Sequence, residues 1–431
     1  MSAKSKDRRL GSGSGAPKIL ASPTPCCVPH MMRHDQSRVL AGNPRTRRSG
    51  SARRAKQKAQ AAARLRSQFV GCLLGGAIGD ALGAPVEFMS QAEIIARFGP
   101  AGITDFAPAY GRLGAITDDT QMTLFTAEGL IRAHVRFADR GLANIDGMLA
   151  AAYRRWLCTQ AGQAACASRK RDLSGWLMAH PELHHRRGPG ATCLSAIGAM
   201  DVLGAPAAND SKGCGGVMRI APVGLLNGQG GDPPAVTMDL AKRAAALTHG
   251  HPTGSIAASA LAVLIADLVN GRDLGAGLAT VHACLDQEPA GAETRAALAV
   301  AEELARTSPG DPVAAIGQIG QGWVAEEALA IGVYCALTAR DFADGVIRAV
   351  NHDGDSDSTG SITGQILGTL WGRAAIPEAF LAPLELRDVI EEMACDLAEC
   401  RSWPIVDHDN VGRRRPDPVF RERVWAKYPG N

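Results

Sequence analysis

Two stripes of glycine, each repeating at every fourth residue, constrain the fold of this chain more than any other feature. The first occupies positions 71, 75, 79 and 83, and the second occupies positions 360, 364, 368 and 372. On an α-helix, residues four apart share a face, so each stripe would form one bare ridge. Each interior glycine costs roughly 1 kcal/mol relative to alanine, and a close approach of two helix backbones would offset that cost. The stripes therefore predict two buried helices that pack near each other, each next to an acidic motif.

The chain reads as helical almost throughout from Ser67 onward. Runs rich in Ala and Leu, such as Ala257–Leu268 and Ala296–Leu304, are separated by loops rich in Gly, Pro, Asp and Asn. Aromatic residues make up only 4% of the chain, whereas glycine reaches 49 residues, which favours closely packed helices over a β-sandwich. We therefore predict an all-α region over residues 67–412 and a short C-terminal tail over residues 413–431. Length alone would allow two domains.

The first 66 residues differ in composition from the rest. Met1–Arg66 holds 16 Lys and Arg against two acids, whereas the remainder holds 30 basic and 41 acidic residues. The segment has no apolar period and cannot bury enough surface to offset its ordering entropy, so we predict a disordered basic extension. A solvated tail, or a start codon placed upstream of the true one, fits this composition. The sharper alternative is an arm for an acidic protein partner; nucleic acid fits less well, because the segment has no aromatic residue to stack on bases.

Cysteine usage and hydropathy predict a soluble cytoplasmic protein. The eleven cysteines are odd in number and scattered, with no C-x-x-C pair, which favours reduced thiols over a disulfide framework. The longest charge-poor stretch, Ala244–Ala266, contains His249, His251 and Pro252, which would be costly in lipid. We therefore expect no membrane-spanning segment.

Two acidic motifs precede or open predicted helices. Residues 116–122 read ITDDTQM, and residues 351–359 read NHDGDSDST. One Asp or Thr suffices to cap a helix N-terminus, so the additional carboxylates need another explanation. Carboxylates packed together without counter-charge repel one another, and oxygen ligands select Mg²⁺, Mn²⁺ or Ca²⁺ over Zn²⁺. The motifs therefore predict a site for hard cations, provided that the fold brings them together.

The second motif also resembles two unrelated signatures. Its spacing of acids begins like a Ca²⁺-binding EF-hand loop, but Ser358 stands where that loop needs Gly and Gly364 stands where it needs Glu. Residues 355–359 also match the D-x-D-x-T signature of haloacid-dehalogenase-like phosphatases, which are Rossmann-type α/β proteins with a later Lys and acidic pair. Only Lys427 follows here, and a phosphatase stays the third alternative.

Four sequence blocks together resemble the ADP-ribosylglycohydrolases. They are GCLLGGAIGDALGAPVEF at 71–88, ITDDTQM at 116–122, GCGGVMRIAPVGLL at 213–226 and DGDSDSTGSITGQILGTLWG at 353–372. Each block alone is weakly specific, whereas all four in this order are strongly specific, and the resemblance covers most of Phe69–Trp371. It implies a single all-α domain with two Mg²⁺ or Mn²⁺ ions at the base of a cleft.

The resemblance also implies a metal-ligand set and catalytic residues. The ligands would be Thr117, Asp118, Asp119, Asp355, Asp357 and Ser358. Asp357 is the expected bridge between the ions, and four carboxylates balance two divalent cations. Asp118 or Asp119 would accept the proton of the attacking water. Glu87 matches a movable-loop Glu that acts as acid or base, or as a gate.

The substrate-binding residues follow from the same resemblance. They would be Gly213, Gly215, Gly216, Met218, His249, Gly254 and Ser255. Glycines at 213–216 would let backbone N–H groups reach a phosphate or ribose, and a helix N-terminus at Gly254 suits a diphosphate. Cys214 stands where many relatives have Asn. Arg186 and Arg187 read as solvated surface charge.

The implied activity is hydrolysis of the glycosidic bond between ADP-ribose and a protein side chain, with arginine as the expected linkage. The partner is then an ADP-ribosylated protein. Some relatives act as immunity factors against ADP-ribosylating toxins, in which an N-terminal extension can block the toxin. The basic first 66 residues make such an interaction protein the second hypothesis.

Overall fold

The structure, a computed structural model, describes residues 44–161, 174–405 and 417–430, with side chains described from residue 53 onward. Within these ranges the regular elements are helices, and the β-structure amounts to two isolated bridges, Ala109–Arg112 and Gly213–Val324. The predicted all-α fold is confirmed. In chain order the α-helices are α1 (Pro44–Gly83), α2 (Gln91–Phe98), α3 (Asp118–Arg140), α4 (Ile145–Ala161), α5 (Ala191–Gly198), α6 (Ala221–Gly230), α7 (Pro234–Ala246), α8 (Pro252–Val269), α9 (Leu274–Leu285), α10 (Ala292–Thr307), α11 (Pro312–Ile319), α12 (Ala325–Thr338), α13 (Phe342–Val350), α14 (Ser356–Trp371), α15 (Glu378–Leu381), α16 (Arg387–Glu399) and α17 (Pro418–Lys427).

Helix α1 starts earlier in the chain than the domain boundary predicted at residue 67. Its residues 53–64 are exposed, and they are mostly Ala, Arg, Lys and Gln, which have high helix propensities. This composition explains a helix that has no buried face there. The large compact unit of the chain begins at Lys56. The disordered extension and its partner-binding role were predicted for residues 1–66, of which residues 1–43 lie outside the described residues.

The two glycine stripes face each other across the contact between α1 and α14. A Cβ added at positions 71, 75 or 79 would overlap the carbonyl oxygen of Gly368, Gly364 or Gly360, respectively, and a Cβ added on α14 would meet α1 in the same way. In the same antiparallel register, Gly83 faces the Ser356 carbonyl. The predicted close approach is therefore confirmed. It sets the end of α1 beside the beginning of α14, where the second acidic motif lies.

Helix α8 lies at the centre of the remaining packing. It contacts α6, α7, α9 and α12. By length and mean hydropathy, 1.7, it could cross a membrane, but 89% of it is buried inside the protein. Burial against these and further helices accounts for the apolar composition of α8 without a lipid environment.

The chain end also packs, although residues 413–431 were predicted to be a tail. Tyr428, just after α17, is 1% exposed and stacks on Trp403 with ring centroids 6.0 Å apart. Arg132 of α3, which is fully buried, donates from Nε to the Pro429 carbonyl over 2.7 Å. The described part of this segment, residues 417–430, is therefore anchored to the domain.

Two sequence-based expectations are wrong in the described ranges. The phosphatase alternative requires a strand before residues 355–359, but the apolar segment Val346–Val350 is the end of helix α13. The scattered cysteines were interpreted as reduced thiols rather than a disulfide framework. Seven described cysteines are free, whereas Cys158 near the end of α4 is disulfide-bonded.

Candidate functional site

A cavity of about 160 Å³ lies where the beginnings of α3 and α14 meet the glycine-rich turn at residues 213–216. Ten residues that were predicted from the sequence line it: Glu87, Asp118, Asp119, Gly213, Gly215, Met218, His249, Asp355, Asp357 and Ser358. The lining also includes Cys214 and five residues for which no role was predicted, Gly188, Gly190, Thr192, Cys193 and Trp323. The fold therefore joins three of the four sequence blocks in one place, with Glu87 from the fourth.

The first acidic motif is held at the beginning of α3 by an acid from α1. Asp80 is fully buried and accepts hydrogen bonds from the backbone N–H groups of Thr117 (3.0 Å) and Thr120 (3.1 Å), and from the Thr120 hydroxyl. Thr117 is the N-cap of α3, and its hydroxyl accepts from the Asp119 N–H over 3.3 Å. Burial raises the pKa of Asp80 to about 6, although these hydrogen bonds act to lower it. One feature of the sequence indicated that Asp80 supports the first acidic motif, namely that it is an acid within an otherwise apolar glycine stripe.

The second acidic motif meets the first directly. The Ser358 hydroxyl donates to Asp119 Oδ2 over 3.3 Å, although the two residues are 239 positions apart. The Ser358 N–H donates to Asp357 Oδ1 (3.0 Å), and the Asp355 N–H donates to the Gln321 carbonyl (2.9 Å). The convergence on which the sequence prediction of a cation site depended is therefore present.

A thiol extends this cluster. Cys214 Sγ donates to Asp355 Oδ2 over 2.8 Å and lies 3.5 Å from the Ser358 hydroxyl. Burial, with further contributions from Asp355 and Asp119, raises the pKa of Cys214 well above its usual range. Without a cation the sulfur is therefore a neutral thiol.

The cavity is strongly acidic. In the described part of the chain, no Lys or Arg lines it. Burial, together with neighbouring carboxylates, raises the pKa of Glu87 and of Asp118 to about 8 each, and it raises the pKa values of Asp119 and Asp357 well above the usual range. Several buried carboxylates this close cannot all be ionised without counter-charge. The arrangement therefore requires bound protons or bound cations.

The donor atoms fit divalent cations. Oxygen atoms of Glu87, Asp355 and Asp357 lie within 4.8 Å of one another, and carboxylate oxygens at such spacing can share one ion. Glu87 Oε2 and Asp119 Oδ1 are buried and have no hydrogen-bond partner among the described residues. Thr117 does not line the cavity, because its hydroxyl caps α3. The complete ligand set stays a prediction.

Part of the predicted substrate-binding set lies outside the cavity. Gly216 packs against the Ala245 side chain and Gly254 against the backbone at Lys212. The Ser255 hydroxyl donates to the Pro252 carbonyl over 2.9 Å. None of these three glycine or serine residues is in the cavity lining, so within the described cavity the first turn of α8 does not reach the acidic cluster.

His249 does line the cavity, from beneath the glycine-rich turn. Its Nδ1 lies 2.8 Å from the Thr248 hydroxyl. Burial and the nearby Arg219 guanidinium lower the pKa of His249 to about 3, so the imidazole is neutral. A neutral ring held on one nitrogen leaves the other to contact a ligand.

Arg187 was predicted to be solvated, but it is 6% exposed. Its two Nη atoms donate to the Glu385 carboxylate over 2.8 and 3.0 Å, and its carbonyl accepts from the Asp118 N–H over 3.0 Å. Glu385 also accepts from the Ile116 N–H (3.1 Å), and the Gly190 N–H donates to Asp118 Oδ2 (3.3 Å). The Arg187–Glu385 ion pair therefore connects residues 187–190 to the first acidic motif. Because its members are 198 positions apart, the sequence carried no signal for it.

An aromatic pair stands at the cavity rim. Phe88, next to Glu87, stacks on Trp323 with centroids 5.7 Å apart and planes 16° apart. Phe88 is 77% exposed and Trp323 is 39% exposed. The Trp323 carbonyl accepts from the Cys214 N–H over 3.2 Å, so this wall of the cavity and the glycine-rich turn are connected.

Comparisons with known proteins agree with this geometry. The family model described as ADP-ribosylglycohydrolase matches residues 61–404. An uncharacterized protein of Archaeoglobus fulgidus is 29% identical over 351 residues, which is 78% of this chain and 97% of the relative. The ADP-ribosyl-[dinitrogen reductase] glycohydrolase of Rhodospirillum rubrum is 26% identical over 323 residues, covering 74% of this chain and 90% of the relative.

A solved structure described as an ADP-ribosylglycohydrolase-related protein complex superposes with a TM-score of 0.56 at 26% identity. The match covers 78% of this chain and 99% of that one. The family model spans well over half of the present sequence and includes all four blocks and the whole acidic cavity. On these grounds the chain belongs to the ADP-ribosylglycohydrolase family.

Proposed function

We propose that this protein is a metal-dependent hydrolase that removes ADP-ribose from a modified protein, and that the linkage it cleaves is to arginine. The observation that carries the proposal is the convergence in one cavity of Glu87, which follows α1, with carboxylates at the beginnings of α3 and α14. Two of these buried carboxylate oxygens have no hydrogen-bond partner among the described residues. Family membership supports hydrolysis of an ADP-ribosyl glycosidic bond. The Rhodospirillum rubrum relative, named for an ADP-ribosylated protein substrate, supports a protein as the partner.

The residues proposed to hold two Mg²⁺ or Mn²⁺ ions are those of the two motifs. They are Thr117, Asp118, Asp119, Asp355, Asp357 and Ser358, and Glu87 joins them because its carboxylate reaches Asp355 and Asp357. Cations bound in such a site supply a water of lowered pKa and positive charge for the ribose hydroxyls.

The side chains of the cavity have separable tasks in this proposal. Asp118 is oriented by the Gly190 N–H and accepts the proton of the attacking water. The remaining carboxylates favour the positive charge that develops on the ribose ring as the glycosidic bond breaks. Glu87 lies beside exposed Phe88 at the cavity edge, where it can act as a gate over the cations.

The aromatic pair at the rim of the cavity supports an arginine linkage. A guanidinium group stacks on aromatic faces and is attracted by carboxylates. Phe88 and Trp323 present an exposed aromatic pair, and Glu87 supplies the carboxylate beside it. A neutral serine hydroxyl gains nothing from either feature.

The test is a de-ADP-ribosylation assay with arginine-linked and serine-linked peptides, with and without a chelator. We expect release of ADP-ribose from the arginine-linked peptide, loss of activity after chelation, and recovery on adding Mn²⁺ or Mg²⁺. Asp118→Ala should abolish activity, whereas Asp210→Ala, at an exposed acid outside the cavity, should not. Full activity after complete chelation would contradict the metal dependence, and faster cleavage of the serine-linked peptide would contradict the linkage.

A further inference from the structure

We propose that the Cys214 thiol is a ligand of the metal centre, so that this site binds thiophilic divalent cations such as Cd²⁺ and Zn²⁺ more tightly than an all-oxygen site would. The inference rests on the proposed metal dependence. It changes the sequence-based expectation, in which every donor was an oxygen.

The position of the sulfur carries the inference. Within the described residues, Cys214 Sγ has two polar neighbours, Asp355 Oδ2 at 2.8 Å and Ser358 Oγ at 3.5 Å, and both belong to the proposed ligand residues. A cation held by Asp355 and Ser358 would therefore lie within reach of the sulfur as well. In the described structure, Cys214 is the cysteine whose sulfur contacts both of these residues.

Two buried oxygens give an independent indication of a ligand at the same place. Asp119 is 2% exposed, and its Oδ1 has no partner among the described residues, while its Oδ2 accepts from the Ser358 hydroxyl that also touches Cys214. Glu87 Oε2, on a residue 8% exposed, is likewise unpartnered in the described chain. Leaving such atoms unsatisfied costs free energy, and cations bound in the cavity that Cys214 also lines would satisfy them.

The turn that carries the thiol is fixed by close packing. The Cys214 N–H donates to the Trp323 carbonyl (3.2 Å), and the Cys214 carbonyl accepts from the Val217 N–H (2.7 Å). A Cβ at Gly215 would come within 2.9 Å of His249 Cε1 and 3.0 Å of Cys193 Sγ. The backbone of Cys214 is therefore fixed beside the carboxylates, and its sulfur contacts Asp355 and Ser358 from there.

The chemistry of sulfur predicts a changed cation preference. A thiolate is a soft ligand that favours Cd²⁺ or Zn²⁺ over Mg²⁺. When the cation binds, the S–H bond breaks, a sulfur–metal bond forms, and one proton leaves to solvent. No electron is transferred.

The experiment is a Cd²⁺ titration of the full-length, metal-free protein, monitored by the ultraviolet charge-transfer absorption that a cadmium–thiolate bond produces. The parent protein carries Cys26→Ser and Cys27→Ser, because these adjacent residues could bind Cd²⁺ by themselves. We expect an absorption that saturates with the cavity site. It should disappear in Cys214→Ser and in Cys214→Asn, and it should persist in the matched control Cys284→Ser, whose partly exposed free thiol lies outside the cavity.

Affinities measured by calorimetry complete the test. The preference for Cd²⁺ over Mn²⁺ should fall at least tenfold in Cys214→Ser, with circular dichroism confirming the fold of each variant. Absorption that persists in both Cys214 variants, or calorimetric binding of Cd²⁺ without absorption in the parent, would overturn thiol ligation. If Mn²⁺ binds and supports hydrolysis in that case, the proposed function stands. If neither cation binds, the inference and the metal dependence both fail.

Discussion

A methyl group at Gly364 should force α1 and α14 apart. A Cβ at this position would overlap the Gly75 carbonyl oxygen, lie 2.5 Å from its carbonyl carbon and 3.1 Å from the Gly76 nitrogen. All three atoms belong to the backbone of α1, so no side-chain rotation can relieve the overlap. Carbon atoms in favourable contact are about 3.5–4.0 Å apart, so the helices must separate by roughly 1 Å.

The expected free-energy change follows from two opposing effects. Alanine gains about 1 kcal/mol over glycine in helix propensity. Overpacking of a close contact costs about 1–3 kcal/mol, and a rigid backbone contact belongs at the upper end. Gly364→Ala should therefore lower the free energy of unfolding by about 2 kcal/mol. It should also weaken Mn²⁺ binding, because α14 begins with the second acidic motif.

The assay is urea unfolding of the full chain, followed by far-ultraviolet circular dichroism. The matched control is Gly317→Ala in α11, an exposed glycine at which an added Cβ meets nothing within 4 Å. The control should gain up to about 1 kcal/mol from helix propensity alone. If Gly364→Ala and Gly317→Ala stabilise the protein equally, the two glycine stripes are not in backbone contact.

Three further predictions concern the acidic cavity and its supports. The metal-free protein should lose stability as pH rises from about 4 to about 8. Glu87 and Asp118 have pKa values of about 8 in the folded protein, against ordinary values of 4.5 and 3.8, so the native state binds more protons than the unfolded state in this window. The urea concentration at the unfolding midpoint should therefore fall as pH rises, and a rising midpoint would refute the carboxylate cluster. Arg187→Met should cost about 3 kcal/mol in unfolding free energy, because it breaks a buried ion pair, whereas the same change at exposed Arg186 should stay within about 0.5 kcal/mol. Asp80→Asn should lower Mn²⁺ affinity about tenfold by loosening the beginning of α3, and unchanged calorimetric affinity would show that this acid does not position the motif.

The features that could be predicted well are those that depend on the spacing of residues close together in the sequence. Glycines at every fourth residue lie on one face of a helix, so the contact between α1 and α14 and the residues in it could be predicted from the sequence. The excess of carboxylates at 116–122 and 351–359 implied counter-charge, and the Asp119–Ser358 contact satisfies the convergence that this required. Helical content followed from Ala and Leu runs broken by Gly and Pro.

The features that were missed depend on distant partners. Arg187 is buried because Glu385 meets it, and nothing near Arg187 in the sequence indicates that partner. Cys214 could be identified as a departure from relatives, but its contact with Asp355 depends on the fold. Gly254 and Ser255 were assigned to substrate from their place at a helix N-terminus; α8 begins outside the cavity, and their contact with substrate stays a prediction. Residues 44–66 have no apolar period and were assigned to the basic extension, whereas the structure includes them in helix α1, as the helix propensities of Ala, Lys, Arg and Gln allow.

The spacing between α1 and α14 is determined by carbonyl groups, which every amino acid shares, and by the absence of side chains. Ordinary substitutions therefore have no means of adjusting it by small steps, as they do in a core of Leu and Ile. We therefore expect substrate preference on this scaffold to diverge in cavity segments away from the α1–α14 contact, such as residues 187–190 and the segment 320–324 that carries Trp323. A directed-evolution library should vary those two segments and leave the eight stripe glycines unchanged.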